Sequence, residues 1–175
     1  MNRARKEWYS YIETLKKNDV CIFISHKKED EAAAIELGEY ISNNFKYDIY
    51  LDVSDIDLRE AVSEENDAKI VDSIKKGINE STSIICIISD KTKLSWWVPY
   101  EVGLADSRGI SIATLKIKDI DDIPSFLKLQ KNINCIEELN EHLKCLGRYG
   151  NLFSNQQNVE LSKSYVMGYM RKYYD

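Results

Sequence analysis

The hydrophobic pattern of this chain alternates between short apolar runs and longer stretches in which apolar residues recur every three or four positions. The short runs have the length of buried strands, and they fall at residues 20–24, 49–51, 83–89 and 110–117. The longer stretches between them have the period of amphipathic helices. Because strands that alternate with helices form a parallel sheet covered on both faces, the pattern predicts an α/β fold with a flavodoxin-like parallel sheet of four to five strands.

Several helix ends are marked by the sequence. The helix that follows the first strand is expected to end at Asn43–Asn44, since asparagine competes with the helical backbone for hydrogen bonds. The helix over residues 70–78 is expected to fray near Gly77, and Gly109 is expected to stop the helix that precedes the fourth strand. Beyond residue 119 the pattern weakens, and it predicts a short fifth strand at 133–136, a helix at 137–146 and a polar connection at 147–158.

The two ends of the chain carry amphipathic helices that the predicted sheet does not need. Residues 5–18 have apolar side chains at helical spacing, and residues 158–174 form a tyrosine-rich helical pattern. We therefore expect three parts: an N-terminal helical extension at 1–18, the α/β domain at 19–147, and a C-terminal helical extension at 148–175.

A long acidic segment follows the second strand. Residues 52–67 have no clear period. Their carboxylates, Asp52 and Asp57 among them, are accompanied in the sequence by a single basic residue, Arg59. Loops of this length are uncommon in a compact domain and are often functional. The pattern predicts a mobile acidic loop over 52–66.

The stretch from Ser95 to Ala105 is the most informative in the chain. Ser95 suits a helix N-cap, and Pro99 is tolerated in the first turn of a helix. In a helix starting at about Trp96, Trp97 and Glu101 lie at i and i+4 on one face. This helix directly follows the apolar strand 83–89, and ligands of open α/β sheets bind at the C-terminal ends of the strands. The stretch therefore predicts a ligand site.

Composition and missing motifs narrow the chemistry. The formal net charge of -5 argues against a dedicated nucleic-acid binder, and no apolar run has the roughly 20 residues of a membrane span. The spacing of the four cysteines fits neither a zinc site nor a disulfide framework, so reduced thiols in a cytoplasmic protein are expected, with no metal. The motifs of dinucleotide-binding folds, P-loop NTPases, zinc proteases and α/β-hydrolases are missing from the sequence.

Three segments together resemble the three conserved boxes of Toll/interleukin-1 receptor (TIR) domains. They are Phe23-Ile24-Ser25-His26 with Lys27-Lys28, then Ile49-Tyr50-Leu51-Asp52, and then Ser95-x-Trp97-x-x-x-Glu101. The likeness covers about residues 19 to 136. The sequence resembles the bacterial branch of the family, many of whose members cleave NAD⁺. Among those members are the stand-alone TIR proteins of Thoeris-type anti-phage systems.

The resemblance implies a role for each matching residue. The catalytic glutamate of the family falls on Glu101, and the substrate-binding positions fall on Trp97, Ser25, His26, Lys27, Lys28, Asp52 and Asp57. It further implies NAD⁺ as the substrate with no cofactor, and self-association through TIR surfaces. The remaining partners that it implies are a separate effector that senses the nucleotide product, and a phage-derived trigger.

The residue chemistry agrees with that reaction, and two other functions stay open. Loss of nicotinamide from NAD⁺ needs no protonation of the leaving group, so one carboxylate that stabilises the developing ribose cation is sufficient, and an indole can stack on the pyridinium.

A TIR adaptor that acts only by binding other TIR domains would not need Glu101 and Trp97 together. A phosphoacceptor receiver domain would need an acidic pair directly after the first strand, where this chain has Ser25-His26.

Overall fold

The five strands form one all-parallel sheet in the order β2-β1-β3-β4-β5. The computed structural model describes residues 20–51, 67–117 and 123–150 of the 175-residue chain. The strands are β1 Cys21–Ser25, β2 Asp48–Tyr50, β3 Ser83–Ile88, β4 Ser111–Lys116 and β5 Lys131–Ile133. This is the flavodoxin-like order, so the predicted fold class is confirmed.

Helices cover both faces of the sheet, as the alternating pattern predicts. Helices α1 (Glu31–Phe45) and α5 (Ile136–Gly150) pack on one face. Helices α2 (Asp67–Asn79), α3 (Trp97–Ser107) and α4 (Ser125–Lys128) pack on the other. Two 3₁₀ turns, Lys28–Asp30 and Thr92–Leu94, follow β1 and β3 at the C-terminal edge of the sheet. Within the described segments, no helix has both the length and the apolar character that crossing a membrane requires.

The alternation of side chains along β1 decides which of its residues face α3. Ile22 and Ile24 lie in the apolar cluster on the α1 side, whereas Phe23 lies in the cluster on the α3 side. Because successive side chains of a strand point to opposite faces, Ser25 shares the α3 side with Phe23. Ser25 pairs in register with Cys86 of β3, which belongs to the same cluster as Phe23.

Helix α1 ends one residue after the predicted end at Asn43–Asn44. The helix runs to Phe45, and Lys46 then takes a left-handed conformation with φ 58°. The amide of Asn44 donates a 2.8 Å hydrogen bond to the carbonyl oxygen of Tyr40, one turn earlier. The asparagine side chain therefore bonds along the helix instead of ending it.

Helix α2 does not fray at Gly77, because this glycine serves a close contact. Gly77 is buried inside the helix, which ends at Asn79, and a Cβ at this position would overlap the ring of Tyr50. That ring is stacked on Phe23 with a centroid distance of 5.6 Å and an interplanar angle of 10°. Glycine therefore lets the helix approach the aromatic pair of the sheet.

The C-terminal part of the described chain differs from the prediction in two ways. The fifth strand lies at Lys131–Ile133 and not at 133–136. Asn134 instead lies just before helix α5, and its backbone N–H donates a 2.7 Å hydrogen bond to the carboxylate of Glu138 in the first turn. The helix then continues to Gly150, through residues that the sequence predicts as a polar connection.

Other predictions lie outside the described residues. They are the helices at 5–18 and 158–174 and the acidic loop at 52–66. The proposed division of the chain at residues 18 and 147 also stays a prediction.

Candidate active site

Helix α3 begins within one residue of its predicted start, at the C-terminal edge of the sheet. The hydroxyl of Ser95 accepts a 3.2 Å hydrogen bond from the backbone N–H of Val98, which satisfies one of the free donors of the first turn. The helix starts at Trp97, one residue later than predicted, and Pro99 lies in its first turn. Gly109, with φ 66°, follows the helix as predicted.

Glu101 lies on the buried face of α3. The apolar members of that face are Val98, Val102 and Ala105, and Glu101 is itself only 2% exposed. Glu101 is therefore not a solvated surface residue. Burying a carboxylate is costly unless it is paired or hydrogen-bonded, so its partners define the site.

Ser25 provides a short hydrogen bond to this carboxylate. Its Oγ donates to Oε2 of Glu101 at 2.6 Å, in the range of a charge-assisted O–H···O⁻ bond. Ser25 is buried at the end of β1, on the side of the sheet that α3 covers. The structure thus brings together two residues that are 76 positions apart and that both belong to the predicted site.

Cys86 lies beside this pair and remains a neutral thiol. The pKa of Cys86 is raised to about 12, first by burial and then by the charges of Glu101 and Asp30, while a hydrogen bond with Ser25 acts in the opposite sense. The thiol is therefore protonated near neutral pH and is a poor nucleophile. Its surroundings also show that two carboxylates, Glu101 and Asp30, lie within electrostatic reach of one buried sulfur atom.

The second carboxylate belongs to a pair that the sequence analysis missed. Asp30 is fully buried, and its Oδ2 accepts a 2.6 Å hydrogen bond from Oγ of Ser89. The same Oγ accepts from the backbone N–H of Lys91 at 3.1 Å, and the backbone N–H of Ser89 donates to Oγ1 of Thr92 at 2.8 Å. In the sequence, Asp30 is one of several acidic residues near the start of a helix, where they suit the positive end of the helix dipole. The signal that could have found this pair is the position of Ser89 directly after the buried strand β3, at the edge where ligands bind.

The two tryptophans of the α3 stretch have different surroundings. The side chain of Trp97 is 37% exposed and makes an edge-to-face contact with Tyr100, with a centroid distance of 6.2 Å and an interplanar angle of 83°. Trp97 lies one helical turn before Glu101, as predicted. Trp96 is 91% exposed and is not a core residue.

The residues after β1 divide into a buried histidine and two lysines nearer the surface. His26 is buried, and its Nδ1 lies 3.2 Å from the carbonyl oxygen of Ile24. Nζ of Lys27 lies 3.2 Å from Oε1 of Glu29, whose own backbone hydrogen bond, followed by its hydrogen bond with Lys27, lowers its pKa. Lys28 is exposed.

The expected substrate contacts of His26, Lys27 and Lys28 stay predictions, and so do those of Trp97 and Ser25. The catalytic role of Glu101 also stays a prediction. Asp52 and Asp57, the other two expected contacts, lie outside the described residues. Within the described part of the chain, no group of three or more His, Cys, Asp or Glu side chains is arranged to hold a metal ion. The site thus offers a buried carboxylate, a hydroxyl that binds it and an indole one turn away.

A comparison with protein families agrees with this fold. The family model described as "TIR domain" matches residues 22–144, which is more than half of the chain. The chain belongs to the TIR domain family. A search of curated proteins found no match. TIR domains include NAD⁺-cleaving enzymes and non-catalytic binding modules, so family membership is compatible with either activity.

Proposed function

We propose that this protein is a TIR-domain NAD⁺ glycohydrolase or cyclase that cleaves the bond between nicotinamide and ribose. The observation that carries the proposal is the buried carboxylate of Glu101, held by Ser25 at 2.6 Å and placed one helical turn after a partly exposed indole. A module that only binds other proteins has no need of a carboxylate buried beside the ligand-binding edge of the sheet.

The chemistry requires one well-placed negative charge. As the C1′–N1 bond of NAD⁺ breaks, its electron pair goes to the pyridinium nitrogen, nicotinamide leaves as a neutral molecule, and positive charge develops on the ribose. Glu101 stabilises this cation electrostatically, and such preorganised stabilisation is strongest where water is excluded. Glu101 is buried, as this role requires.

Trp97 supplies the second element of the site. In the bound substrate its indole face stacks on the cationic pyridinium, which contributes about 0.5–2 kcal/mol. The cation–π part of this contact is lost once nicotinamide becomes neutral, so the product is held less tightly than the substrate. Trp97 is 37% exposed, so part of its indole surface can be covered by a ligand.

The nucleophile that attacks C1′ of the ribose decides which product forms. When water attacks C1′, the products are ADP-ribose and a proton that is released to solvent. When a nucleophilic group of the same ADP-ribosyl moiety attacks C1′, the product is cyclic ADP-ribose or one of its isomers, and the proton of the attacking group is released to solvent. We propose that the product serves as a signal for a separate effector in bacterial anti-phage immunity, a role supported by the resemblance to stand-alone TIR proteins of such systems.

The test is the release of nicotinamide from NAD⁺. Purified protein is incubated with NAD⁺, with and without extract of phage-infected cells, and products are separated by chromatography and identified by mass spectrometry. We expect stoichiometric nicotinamide together with ADP-ribose or a cyclic isomer. If folded protein at high concentration releases no nicotinamide in either condition, the enzymatic function is refuted.

A non-catalytic adaptor is the second candidate, and the exposed apolar residues before α3 favour it. Trp96 is 91% exposed, and Leu94 is also exposed. Exposed apolar surface of this kind often marks a protein-binding site. The two functions are separated by Trp96→Ala together with the nicotinamide assay. An adaptor would lose self-association in sedimentation experiments with no nicotinamide released by either protein, whereas the enzyme releases nicotinamide irrespective of residue 96.

A further inference from the structure

The bond between Ser25 and Glu101 joins the central part of the sheet to the helix that covers it. Ser25 is the last residue of β1, which is flanked by β2 and β3. Its side chain lies on the α3 side of the sheet because it has the same parity as Phe23. A serine on a central strand has one side-chain torsion and a fixed backbone, so it is a rigid anchor for a longer side chain.

We propose that Ser25 is a positioning residue that holds the Glu101 carboxylate in the orientation required for NAD⁺ cleavage. The inference rests on the proposed function and extends it, since it assigns Ser25 to the glutamate and not to the substrate. Ser25 is 1% exposed, and its single O–H donates to Glu101 at 2.6 Å. A hydroxyl committed in this way reaches the substrate only through the carboxylate that it holds.

The effect of such an anchor on the reaction is orientational. A glutamate side chain has three rotatable bonds, and fixing a side chain of this kind costs up to about 2 kcal/mol of conformational entropy. When Ser25 holds the carboxylate before the substrate binds, that cost is not added to the barrier of the reaction. The anchor therefore raises kcat more than it lowers KM.

The neutral thiol of Cys86 preserves this arrangement. Because burial raises the pKa of Cys86 to about 12, no thiolate competes with Glu101 for the proton of Ser25 near neutral pH. The carboxylate is thus the anion that receives the hydrogen bond of Ser25.

The experiment compares Ser25→Ala, Ser25→Thr and the wild type in the nicotinamide assay, with thermal melting to verify folding. We expect kcat of Ser25→Ala to fall about 10- to 100-fold, the range of a hydrogen bond to a charged group, with KM changed by less than about threefold. The acidic limb of its pH–kcat profile should move to higher pH, because a hydrogen bond to the charged form of a carboxyl group favours that form. Ser25→Thr keeps the hydroxyl and should restore most of kcat. If its extra methyl group prevents folding, Ser25→Cys, with a weaker donor, should give an intermediate kcat.

Ser83→Ala is the matched control. Ser83 is equally buried, lies at the opposite end of the neighbouring strand β3, and donates to the carbonyl oxygen of Ser111 at 3.2 Å. Its replacement removes a buried hydroxyl but should leave kcat and the pH–kcat profile unchanged.

Two outcomes would overturn the inference, and they are distinguishable. Wild-type kcat in Ser25→Ala, or a reduced kcat with an acidic limb that does not move, would refute the positioning role and leave the proposed function intact. A folded wild-type protein that releases no nicotinamide would refute the proposed function, and the positioning role with it.

Discussion

Ser89 and Asp30 form a buried hydrogen bond of 2.6 Å that joins the segment after β1 to the segment after β3. These two segments frame the C-terminal edge of the sheet, and the second of them leads into α3. Because Ser89 also accepts from the backbone N–H of Lys91, its hydroxyl fixes the course of the chain between β3 and the first turn of α3. The site thus has two serine–carboxylate pairs, one at Glu101 and one at Asp30.

Ser89→Ala should destabilise the fold. Loss of the donor weakens the solvation of a buried carboxylate, and such a loss costs about 1–3 kcal/mol of unfolding free energy. Urea unfolding followed by circular dichroism measures the change. Ser107→Ala is the control, because Ser107 donates to Leu104 at 2.8 Å but is exposed, and its unfolding free energy should stay within about 0.5 kcal/mol of the wild type. Equal losses in the two variants would contradict the structural role of the Asp30 pair.

Two glycine substitutions should have opposite effects. Gly77→Ala forces a Cβ against the ring of Tyr50 and should cost about 1–3 kcal/mol, as is typical of overpacking. Gly103→Ala, on the exposed side of α3, meets nothing within 4 Å and should stabilise the protein by about 0.5–1 kcal/mol, because alanine favours the helix. Thermal melting of both variants checks the prediction. A stabilising Gly77→Ala would show that α2 does not approach the sheet at this point.

His142 should make the protein less stable in mild acid. It is buried on α5, and its Nε2 has no hydrogen-bond partner among the described residues. Burial, and then the charge of Lys131, lowers its pKa from 6.5. The unfolded chain therefore binds a proton more readily than the native protein, so the stabilisation is present above pH 6.5 and is lost as the pH falls through the native pKa.

The check is urea unfolding of wild type and His142→Leu as a function of pH. The leucine variant cannot gain this proton, so its unfolding free energy should fall less than that of the wild type as the pH drops below 6.5. Parallel pH dependences of the two proteins would show that His142 is not buried in its neutral form.

Trp97→Ala should weaken substrate binding and thereby lower kcat/KM. Stacking on the pyridinium is present in the ground state, so its loss should raise KM about 2- to 30-fold, which corresponds to 0.5–2 kcal/mol of cation–π energy. Steady-state kinetics with NAD⁺ measures the change. Trp96→Ala is the control, since it removes an indole that is 91% exposed at the preceding position and should leave KM unchanged. A larger effect at residue 96 than at residue 97 would contradict the assignment of the stacking residue.

The sequence predicts the elements that depend on local pattern. Apolar runs located four strands, and the spacing of Trp97 and Glu101 with Ser95 before them located α3. The order of the strands in the sheet follows because parallel strands joined by helices have few possible arrangements. The meeting of Ser25 with Glu101 is also foreseeable, because each follows or ends a parallel strand and the C-terminal ends of parallel strands lie at one edge of the sheet.

The features that sequence analysis missed depend on contacts between distant segments. Asp30 and Ser89 are 59 positions apart, and neither has a local pattern that marks it as a partner of the other. Gly77 was interpreted as a weak point of a helix because the approach of Tyr50 is a tertiary contact. Helix α1 includes Asn44 and ends one residue later than predicted, because the amide of Asn44 donates to the carbonyl oxygen of Tyr40 within the helix.

The central claim is that the charge of Glu101 drives cleavage of NAD⁺, and Glu101→Gln tests it most directly. Glutamine keeps the size and an acceptor for Ser25 but removes the charge, so the melting temperature should change little. Loss of a preorganised electrostatic contact costs about 10²–10³ in rate. The matched control is Asp106→Asn, which removes one charge from an exposed position of the same helix.

The measurement is the rate of nicotinamide release, with NAD⁺ affinity determined by calorimetry on the same samples. The account predicts that Glu101→Gln binds NAD⁺ with nearly wild-type affinity and releases nicotinamide at least about 100-fold more slowly, while Asp106→Asn behaves as the wild type. A Glu101→Gln protein that is folded and cleaves NAD⁺ at the wild-type rate would contradict it.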